Sequence, residues 1–169
     1  KKIRKNIKKN IGYGALGINV GANKDSDHRI SDFINVISYF SNDVDYFTLN
    51  ISSPNTYGLR TLQKQNNLEK LLSKIVINNK LRKIRTPILI KISPDLENED
   101  LKTIVDLSKT YKIAGIVATN TTLNRDYNLK SSCSEEDGGL SGKPLFKQSN
   151  IILAKLYFLS KGTIPLIGV

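Results

Sequence analysis

The sequence predicts an α/β fold in which parallel strands alternate with helices. Short apolar runs rich in β-branched residues recur along the chain, as expected of strands that are buried on both faces. Each gap between these runs is long enough for a crossover helix. Polar or glycine residues stand at the C-terminal ends of the runs, and this favours a (β/α)8 TIM barrel over an open sheet, because barrels place their sites at that face.

Five runs have the character of strands. They are Tyr13 to Val20, Tyr46 to Leu49, Pro87 to Ile92, Ala114 to Thr119 and Ile164 to Val169. A doubly wound sheet would instead need a glycine-rich turn after the first strand and an acidic residue about twenty positions later. The glycines near the first run lie within and around the strand and do not form that pattern.

Three of the gaps carry apolar residues at helical spacing. The three sets are Ile30, Phe33, Ile34 and Ile37; Leu68, Leu71, Leu72, Ile75 and Val76; and Leu101, Ile104, Val105 and Leu107. The third set is the least regular, because Ser108 stands where a strict helical period requires an apolar residue. Upstream of the strands, Ile3, Ile7 and Ile11 recur four apart among cations, which predicts an outer helix that faces solvent.

The length of the chain limits how much of a barrel it can form. A barrel of this type takes roughly 250 residues, whereas this chain has 169. We therefore expect residues 1–169 to form a single incomplete domain that holds about strands 3 to 7 of the barrel with their helices.

The strong positive charge does not by itself indicate a nucleic-acid partner. The net charge is +11, but the cations are mostly lysines scattered along the chain, without the aromatic-interleaved basic motif of an RNA-binding module. We expect no nucleic-acid partner, and at most an attraction for acidic substrates or anionic lipid surfaces.

Cysteine and histidine are too few for a disulfide framework or a common zinc site. The single cysteine, Cys133, lies in a polar loop without a nearby histidine, and His28 lies among charged residues near a helix start. We expect both to be bystanders and no metal to bind. No apolar run approaches the roughly 18 residues of a membrane-spanning helix.

The segment Asn50 to Arg60 directly follows the second predicted strand and is the strongest candidate for a site. Asn50 and Asn55 each offer amide donors and an acceptor to a planar ligand, and Pro54 stiffens the turn between them. Ser53 stands where a reactive side chain would be presented. An ordinary strand followed by an Asn, Ser and Pro turn has the same composition, so these residues alone leave both interpretations open.

Five ordered segments together resemble the class 2 dihydroorotate dehydrogenases. They are Gly17-Ile18-Asn19-Val20-Gly21-Ala22-Asn23-Lys24; Asn50-Ile51-Ser52-Ser53-Pro54-Asn55-Thr56 followed by Gly58-Leu59-Arg60; Lys91-Ile92-Ser93-Pro94-Asp95-Leu96; Thr119-Asn120-Thr121-Thr122; and Gly138-Gly139-Leu140-Ser141-Gly142-Lys143-Pro144-Leu145. They cover the chain from about Gly17 to its end. The class depends largely on Ser53, because class 1 relatives carry a cysteine in the corresponding loop.

The resemblance implies a barrel that binds FMN and oxidises (S)-dihydroorotate to orotate in de novo UMP synthesis. A membrane quinone would be the second substrate. The parent would be a monomer, peripheral on the cytoplasmic face of a bacterial inner membrane, or on the mitochondrial inner membrane in a eukaryote. Membrane contact would be made through segments that lie outside this chain.

The resemblance also assigns roles to residues. Ser53 would be the catalytic base, assisted by Thr56, since a serine is a poor base at its ordinary pKa. Asn50, Asn55, Asn120 and Thr121 would bind the substrate. Asn19, Asn50, Lys91, Thr119, Ser141 and Gly142 would bind FMN. The cation of Lys91 would stabilise negative charge on a reduced flavin, and Tyr57 to Arg60 would continue the site loop into a lid.

Departures from a full family member leave two alternatives open. The helical pair of the quinone tunnel, an upstream substrate loop and the glycines that bind the FMN phosphate are missing from these 169 residues. We therefore expect the isolated chain neither to bind FMN tightly nor to turn over. A tRNA dihydrouridine synthase is one alternative, although it would carry a cysteine in place of Ser53. An inactive remnant of a related gene is the other.

Overall fold

The computed structural model describes residues 2–9, 14–130, 134 and 136–169, and helices and strands alternate along them. In chain order the elements are α1 (Lys2–Lys9), β1 (Gly17–Val20), α2 (Arg29–Phe40), β2 (Tyr46–Asn50), a 3-10 helix (Leu59–Gln63), α3 (Gln65–Leu81), β3 (Ile88–Ile92), α4 (Asn98–Thr110), β4 (Gly115–Ala118), α5 (Lys143–Ser160) and β5 (Leu166–Gly168). The predicted α/β alternation is therefore confirmed.

The five strands of the described residues form one parallel sheet. Their spatial order is the order of the sequence, β1-β2-β3-β4-β5, and every neighbouring pair is parallel. A doubly wound sheet would reverse its strand order at a switch point, and this sheet does not. The winding is that of a (β/α)8 barrel, of which the chain provides an open part.

The helices pack against one face of the sheet. The strand residues Phe47, Leu49, Ile90, Ile92 and Ile116 are fully buried in a common core with the apolar residues of α2, α3, α4 and α5. Because side chains alternate along a strand, the intervening residues lie on the opposite face. That second face carries Asn19, Thr48, Asn50 and Lys91. The sequence therefore separates an apolar, helix-covered face from a face that holds polar groups.

Helix α4 shows why its sequence pattern is irregular. Leu101, Ile104, Val105 and Ser108 recur at helical spacing and are all buried, whereas Leu107 is only partly buried. Ser108 therefore occupies the core position that the period requires. Among the described residues its hydroxyl has no hydrogen-bond partner.

Some predicted boundaries differ from those in the structure. Strand β1 begins at Gly17, and Tyr13, the start of the predicted strand, lies outside the described residues, as do Ile11 and Cys133. In α1, Ile3 is exposed while Ile7 packs against the core. Helix α5 fills the fourth gap, for which the sequence suggested no specific residues. None of the helices in the described ranges is long and apolar enough to cross a membrane.

Candidate active site

The predicted site residues of the strands meet at the C-terminal edge of the sheet. Asn50, the last residue of β2, lies opposite Lys91 of β3 in the strand register. Lys91 in turn lies opposite Val117 of β4, and Asn120 is the second residue beyond the end of β4. The backbone N–H of Asn120 donates to the Ile92 carbonyl at 2.8 Å, and this bond continues the pairing of β3 and β4 beyond the end of β4.

Asn50, Ser52 and Asn120 form a hydrogen-bonded group. Asn120 Nδ2 donates to Asn50 Oδ1 at 3.2 Å and to Ser52 Oγ at 3.1 Å. Ser52 Oγ donates to the Lys91 carbonyl at 2.7 Å. Ser52 is 0% exposed, so this hydroxyl is a structural link between the ends of three strands. The sequence placed Ser52 beside Ser53 but offered no signal that the two serines have different surroundings.

The loop after β2 presents Ser53, Asn55 and Thr56. Ser53 is partly buried, and its Oγ accepts a hydrogen bond from the Asn55 amide nitrogen at 3.3 Å. Within the described residues no hydrogen bond joins Ser53 to Thr56. The assistance by Thr56 therefore stays a prediction. Farther along, Tyr57 is 90% exposed, whereas Leu59 is buried at the start of the 3-10 helix.

The glycine-rich segment packs directly onto these loops. Thr122 and Leu140 form an antiparallel bridge, with amide-to-carbonyl distances of 3.0 and 2.8 Å. A Cβ atom at Gly139 would lie 1.8 Å from Thr121 Oγ1 and 3.1 Å from Pro54 Cγ. Glycine is therefore required at position 139, because any side chain would displace Thr121 or the proline turn.

A cavity of about 470 Å³ opens beside this assembly. Its lining combines predicted cofactor and substrate residues with the start of α5: Lys91, Thr119, Asn120, Thr121, Ser141, Gly142, Lys143, Leu145, Phe146, Ser149 and Val169. Four other predicted site residues lie at the end of β2 or in the loop after it and do not line the cavity. They are Asn50, Ser53, Asn55 and Thr56. Asn19 is exposed on β1, paired with Thr48 and one strand away from Asn50.

The cavity lining fits a cofactor with a polar edge. The Thr119 side chain is buried at 3% exposure, and its hydroxyl has no hydrogen-bond partner among the described residues. A buried hydroxyl without a partner is costly unless a ligand satisfies it. Lys91 adds a cation to the lining, and Gly142 has a positive φ of 77° with open space where a Cβ would stand. These groups could hold a cofactor that accepts hydrogen bonds.

Two residues that received no ligand-binding role in the sequence analysis, Arg60 and Asp95, organise the site. The Arg60 guanidinium donates to the Ser52 carbonyl, to the Asp95 carboxylate and to the Thr121 carbonyl. Arg60 is thus anchored from three directions, and the lid expected over Tyr57 to Arg60 stays a prediction. Buried Gln63 braces the same region by accepting from the Ser93 amide at 2.8 Å.

The carboxylate of Asp95 is held in its charged form. Partial burial acts to raise its pKa, but hydrogen bonds from the Thr122 hydroxyl, the Leu123 amide and Arg60, together with the charge of Arg60, outweigh burial and lower the pKa below its ordinary value. Nearby, burial together with the charges of Asp95 and Asp126 raises the pKa of Tyr127, whose hydroxyl bonds to Gln148. The loops around the site are therefore linked by a charged, hydrogen-bonded group.

Comparison with known sequences relates the whole chain to one family. A family model described as dihydroorotate dehydrogenase matches residues 1–169. A protein named dihydroorotate dehydrogenase (quinone) from Rhodopseudomonas palustris strain BisA53 is 44% identical over 160 residues, which cover 92% of this chain and 44% of the relative. A protein of the same name from Parvibaculum lavamentivorans is 43% identical over 156 residues, with the same coverage. The chain thus spans less than half the length of these curated relatives.

Solved structures agree with the sequence relatives. The crystal structure of DHODH from Eimeria tenella in complex with ferulenol superimposes with a TM-score of 0.88 at 29% identity, covering 99% of this chain and 50% of that one. The ligand-free form from the same organism gives a TM-score of 0.89 at 28% identity, covering 99% and 54%. The resemblance drawn from the five sequence segments, including its quinone-linked class, is confirmed by these relatives, and the chain belongs to the dihydroorotate dehydrogenase family.

Proposed function

We propose that the protein carrying this chain is an FMN-dependent enzyme that oxidises (S)-dihydroorotate to orotate with a quinone as electron acceptor. The reaction would serve de novo UMP synthesis. The observation that carries the proposal is the hydrogen-bonded group of Asn50, Ser52 and Asn120. Asn120 and Lys91 also line a cavity with Thr119, whose buried hydroxyl has no partner among the described residues. Residues 1–169 would be one incomplete barrel domain, about strands 3 to 7, and the activity belongs to the full-length protein.

The amide side chains are suited to a planar ring rimmed with carbonyl and N–H groups. Asn120 donates through Nδ2 to Asn50 and Ser52, while its Oδ1 accepts from the Thr121 amide at 2.8 Å. These bonds fix the orientation of the Asn120 amide. Asn50 uses its Oδ1 as an acceptor, which leaves its Nδ2, as far as the described residues go, to donate to a ligand carbonyl. Asn50, Asn55, Asn120 and Thr121 would bind dihydroorotate in this way.

Ser53 would remove the proton from the substrate. FMN, when bound, supplies an acceptor for the hydride that leaves the neighbouring ring carbon. The Asn55 backbone amide donates to Ser53 Oγ at 3.3 Å, and a donor at that atom stabilises the deprotonated form in which a serine can accept a proton. The proton of Ser53 would pass to solvent, and Thr56, on the same loop, would assist Ser53 without a direct hydrogen bond.

The cofactor would lie in the cavity lined by Lys91, Thr119, Ser141 and Gly142. Thr119 would donate its buried hydroxyl hydrogen to the cofactor edge, and the Lys91 cation would stabilise charge there. Asn50, at the end of β2, would also contact the cofactor. Asn19 lies on the same face of the sheet, one strand farther from the cavity, and would contribute from β1.

Dihydroorotate and a quinone are the partners that the names of the relatives support for the full-length protein. A quinone is the acceptor that those names print. We further propose a monomer that associates peripherally with the inner membrane through segments outside this chain, and neither a nucleic-acid partner nor a metal. The tRNA dihydrouridine synthase alternative gains no support from the family comparison.

A direct assay of the full-length protein tests this proposal. Flavin-loaded enzyme is mixed with dihydroorotate and a short-chain ubiquinone, and orotate formation is followed by absorbance. We expect turnover that depends on both substrates and bound FMN. Failure of dihydroorotate to reduce the bound flavin would overturn the proposal, and a parallel reaction with tRNA would identify the other flavin barrel. The isolated 169-residue chain provides a comparison, and we expect it to bind no stoichiometric FMN.

A further inference from the structure

We propose that Arg60 is a positioning residue that orients Ser53 for proton removal. The proposal rests on the function proposed above, because it concerns the same base and the same substrate. Arg60 has no place among the predicted ligand contacts, and it would act through the backbone of the loop that carries Ser53.

The guanidinium of Arg60 joins the loops that follow three strands. Its Nε donates to the Ser52 carbonyl at 3.1 Å, its Nη1 to Asp95 Oδ2 at 2.7 Å and its Nη2 to the Thr121 carbonyl at 2.8 Å. These acceptors belong to the loops after β2, β3 and β4. The Arg60 side chain is only 21% exposed, so its charge-assisted bonds are partly shielded from water and hold their geometry.

The bond to Ser52 acts directly on the proposed base. The carbonyl of Ser52 belongs to the peptide unit that joins Ser52 to Ser53, so fixing that oxygen fixes the plane from which the Ser53 side chain extends. The bond also closes the loop, because Ser52 lies at one end of it and Arg60 at the other. Buried Leu59 holds the backbone beside Arg60.

Asp95 provides a fixed support for the guanidinium. Its carboxylate accepts from the Thr122 hydroxyl and, at 3.0 Å, from the Leu123 amide, while its own amide donates to Ser93 Oγ at 3.1 Å. Asp95 is therefore held by its own loop and by the loop after β4. Since Arg60 bonds to a held carboxylate, its orientation is determined before substrate arrives.

Two of the proposed substrate-binding side chains, Asn50 and Asn120, make no hydrogen bond to Arg60 among the described residues. The backbone N–H of Asn120 donates to the Ile92 carbonyl at 2.8 Å, and the side-chain Nδ2 of Asn120 donates to Asn50 Oδ1 and Ser52 Oγ. Loss of Arg60 should therefore displace Ser53 relative to Asn50 and Asn120, which keep their own contacts. The expected result is slower proton removal with substrate binding largely preserved.

The test is Arg60→Lys in the full-length, FMN-loaded enzyme, because a lysine cannot make three bonds with one planar group. Rapid mixing with dihydroorotate measures the rate and the amplitude of flavin reduction. We expect the rate to fall by roughly 100-fold, the cost of a misplacement of about 1 Å, while the Kd of orotate remains near that of wild type. Arg82→Lys, on an exposed residue at the opposite end of α3 from this loop, is the matched control.

An isotope effect separates positioning from general damage. With substrate deuterated at the carbon that loses the proton, the effect on the reduction rate should rise in Arg60→Lys. Partial unfolding would instead lower the amplitude and leave the rate and the isotope effect unchanged, and that result would overturn the proposal. Asp95→Asn weakens the support of Arg60 but retains the guanidinium. We expect it to lower the rate of flavin reduction by a smaller factor than Arg60→Lys does.

The outcomes distinguish this proposal from the one on which it rests. If dihydroorotate fails to reduce the wild-type flavin, the proposed function fails and the role of Arg60 fails with it. If wild type is reduced and both Arg60→Lys and Asp95→Asn react at the wild-type rate, only the role of Arg60 is overturned.

Discussion

Asn50 and Asn120, seventy positions apart in the chain, share a hydrogen bond of 3.2 Å across the end of the sheet. The bond joins the end of β2 to the loop after β4, and Ser52 and the β3 backbone complete the link. Three strands therefore contribute to one rigid polar group. Rigid placement of this kind reduces the side-chain entropy that the protein must lose when a ligand binds.

Replacement of the proposed base should abolish turnover without loss of the cofactor. We expect Ser53→Ala to reduce kcat by about 10²- to 10⁴-fold, the usual contribution of a general base, because the proton acceptor is removed. The flavin content should match that of wild type, since Ser53 does not line the cavity. Steady-state quinone reduction and the flavin spectrum measure the two quantities. Ser73→Ala on α3 is the control, and comparable activity in the two variants would exclude Ser53 as the base.

The buried hydroxyl of Thr119 should matter to the cofactor more than to the fold. Thr119→Val keeps the shape and removes a group that has no partner among the described residues. We expect the Kd for FMN to rise about three- to tenfold, the loss of roughly one hydrogen bond. Thermal stability without FMN should be unchanged or higher. Fluorescence titration of apoprotein measures the affinity, and an unchanged Kd would place the cofactor away from Thr119.

A methyl group at position 139 should disturb the substrate site. In Gly139→Ala the new Cβ would lie 1.8 Å from Thr121 Oγ1, so Thr121 or Pro54 must move, at a cost of about 1–3 kcal/mol in stability. The affinity for orotate should also fall, because Thr121 is a proposed substrate contact. Gly21→Ala is the matched control, because nothing lies within 4 Å of a Cβ there. Thermal melts and orotate titration make the comparison, and equal effects of the two variants would contradict the packing.

The lowered pKa of Asp95 predicts how stability depends on pH. A carboxylate whose pKa is lower in the folded state contributes stability above its unfolded pKa of about 3.9, and loses it as the pH falls through the folded value. Asp95→Asn should therefore have a lower Tm than wild type near neutral pH. The difference should shrink as the pH falls below about 4. Melting curves between pH 7 and 3 test this, with exposed Asp25→Asn as the control; a constant difference would refute it.

Removal of the buried hydroxyl on α4 should stabilise the protein. Ser108 is 1% exposed and its Oγ has no partner among the described residues. Ser108→Ala removes this unsatisfied group and raises helix propensity, so we expect a gain of about 1 kcal/mol in the free energy of unfolding. The Ser73 hydroxyl donates to the Lys70 carbonyl, so Ser73→Ala should gain less stability than Ser108→Ala. Chemical denaturation measures both, and a destabilised Ser108→Ala would indicate a role for the hydroxyl.

The strands and most helices could be predicted because their pattern is local. The run Ile88–Ile92 is apolar except for Lys91, and Phe33 and Ile37 repeat at helical spacing, so burial is visible in the sequence. Ser108 broke the pattern because the sequence does not show which polar side chain is buried. Helix α5 was not identified from its residues, because exposed apolar residues such as Tyr157 and Phe158 obscure its core-facing side.

The site could be predicted only as a set of motifs. The motifs named Asn50, Ser53, Lys91, Asn120 and Gly142, and the fold brings the loops that carry them to one edge of the sheet. Their predicted roles remain proposals. The motifs did not distinguish Ser52 from its neighbour or reveal that the guanidinium of Arg60 joins three loops.

The sequence alone determined the α/β class, the alternating strands and the family, because apolar periodicity and ordered motifs are properties of neighbouring residues. Only the tertiary structure decided which polar side chains touch. Hydrogen bonds such as the one from Arg60 to Thr121, sixty-one positions away, depend on strand register and loop packing. Register is determined by the burial of the whole sheet face against the helices, and no short stretch of sequence contains that information.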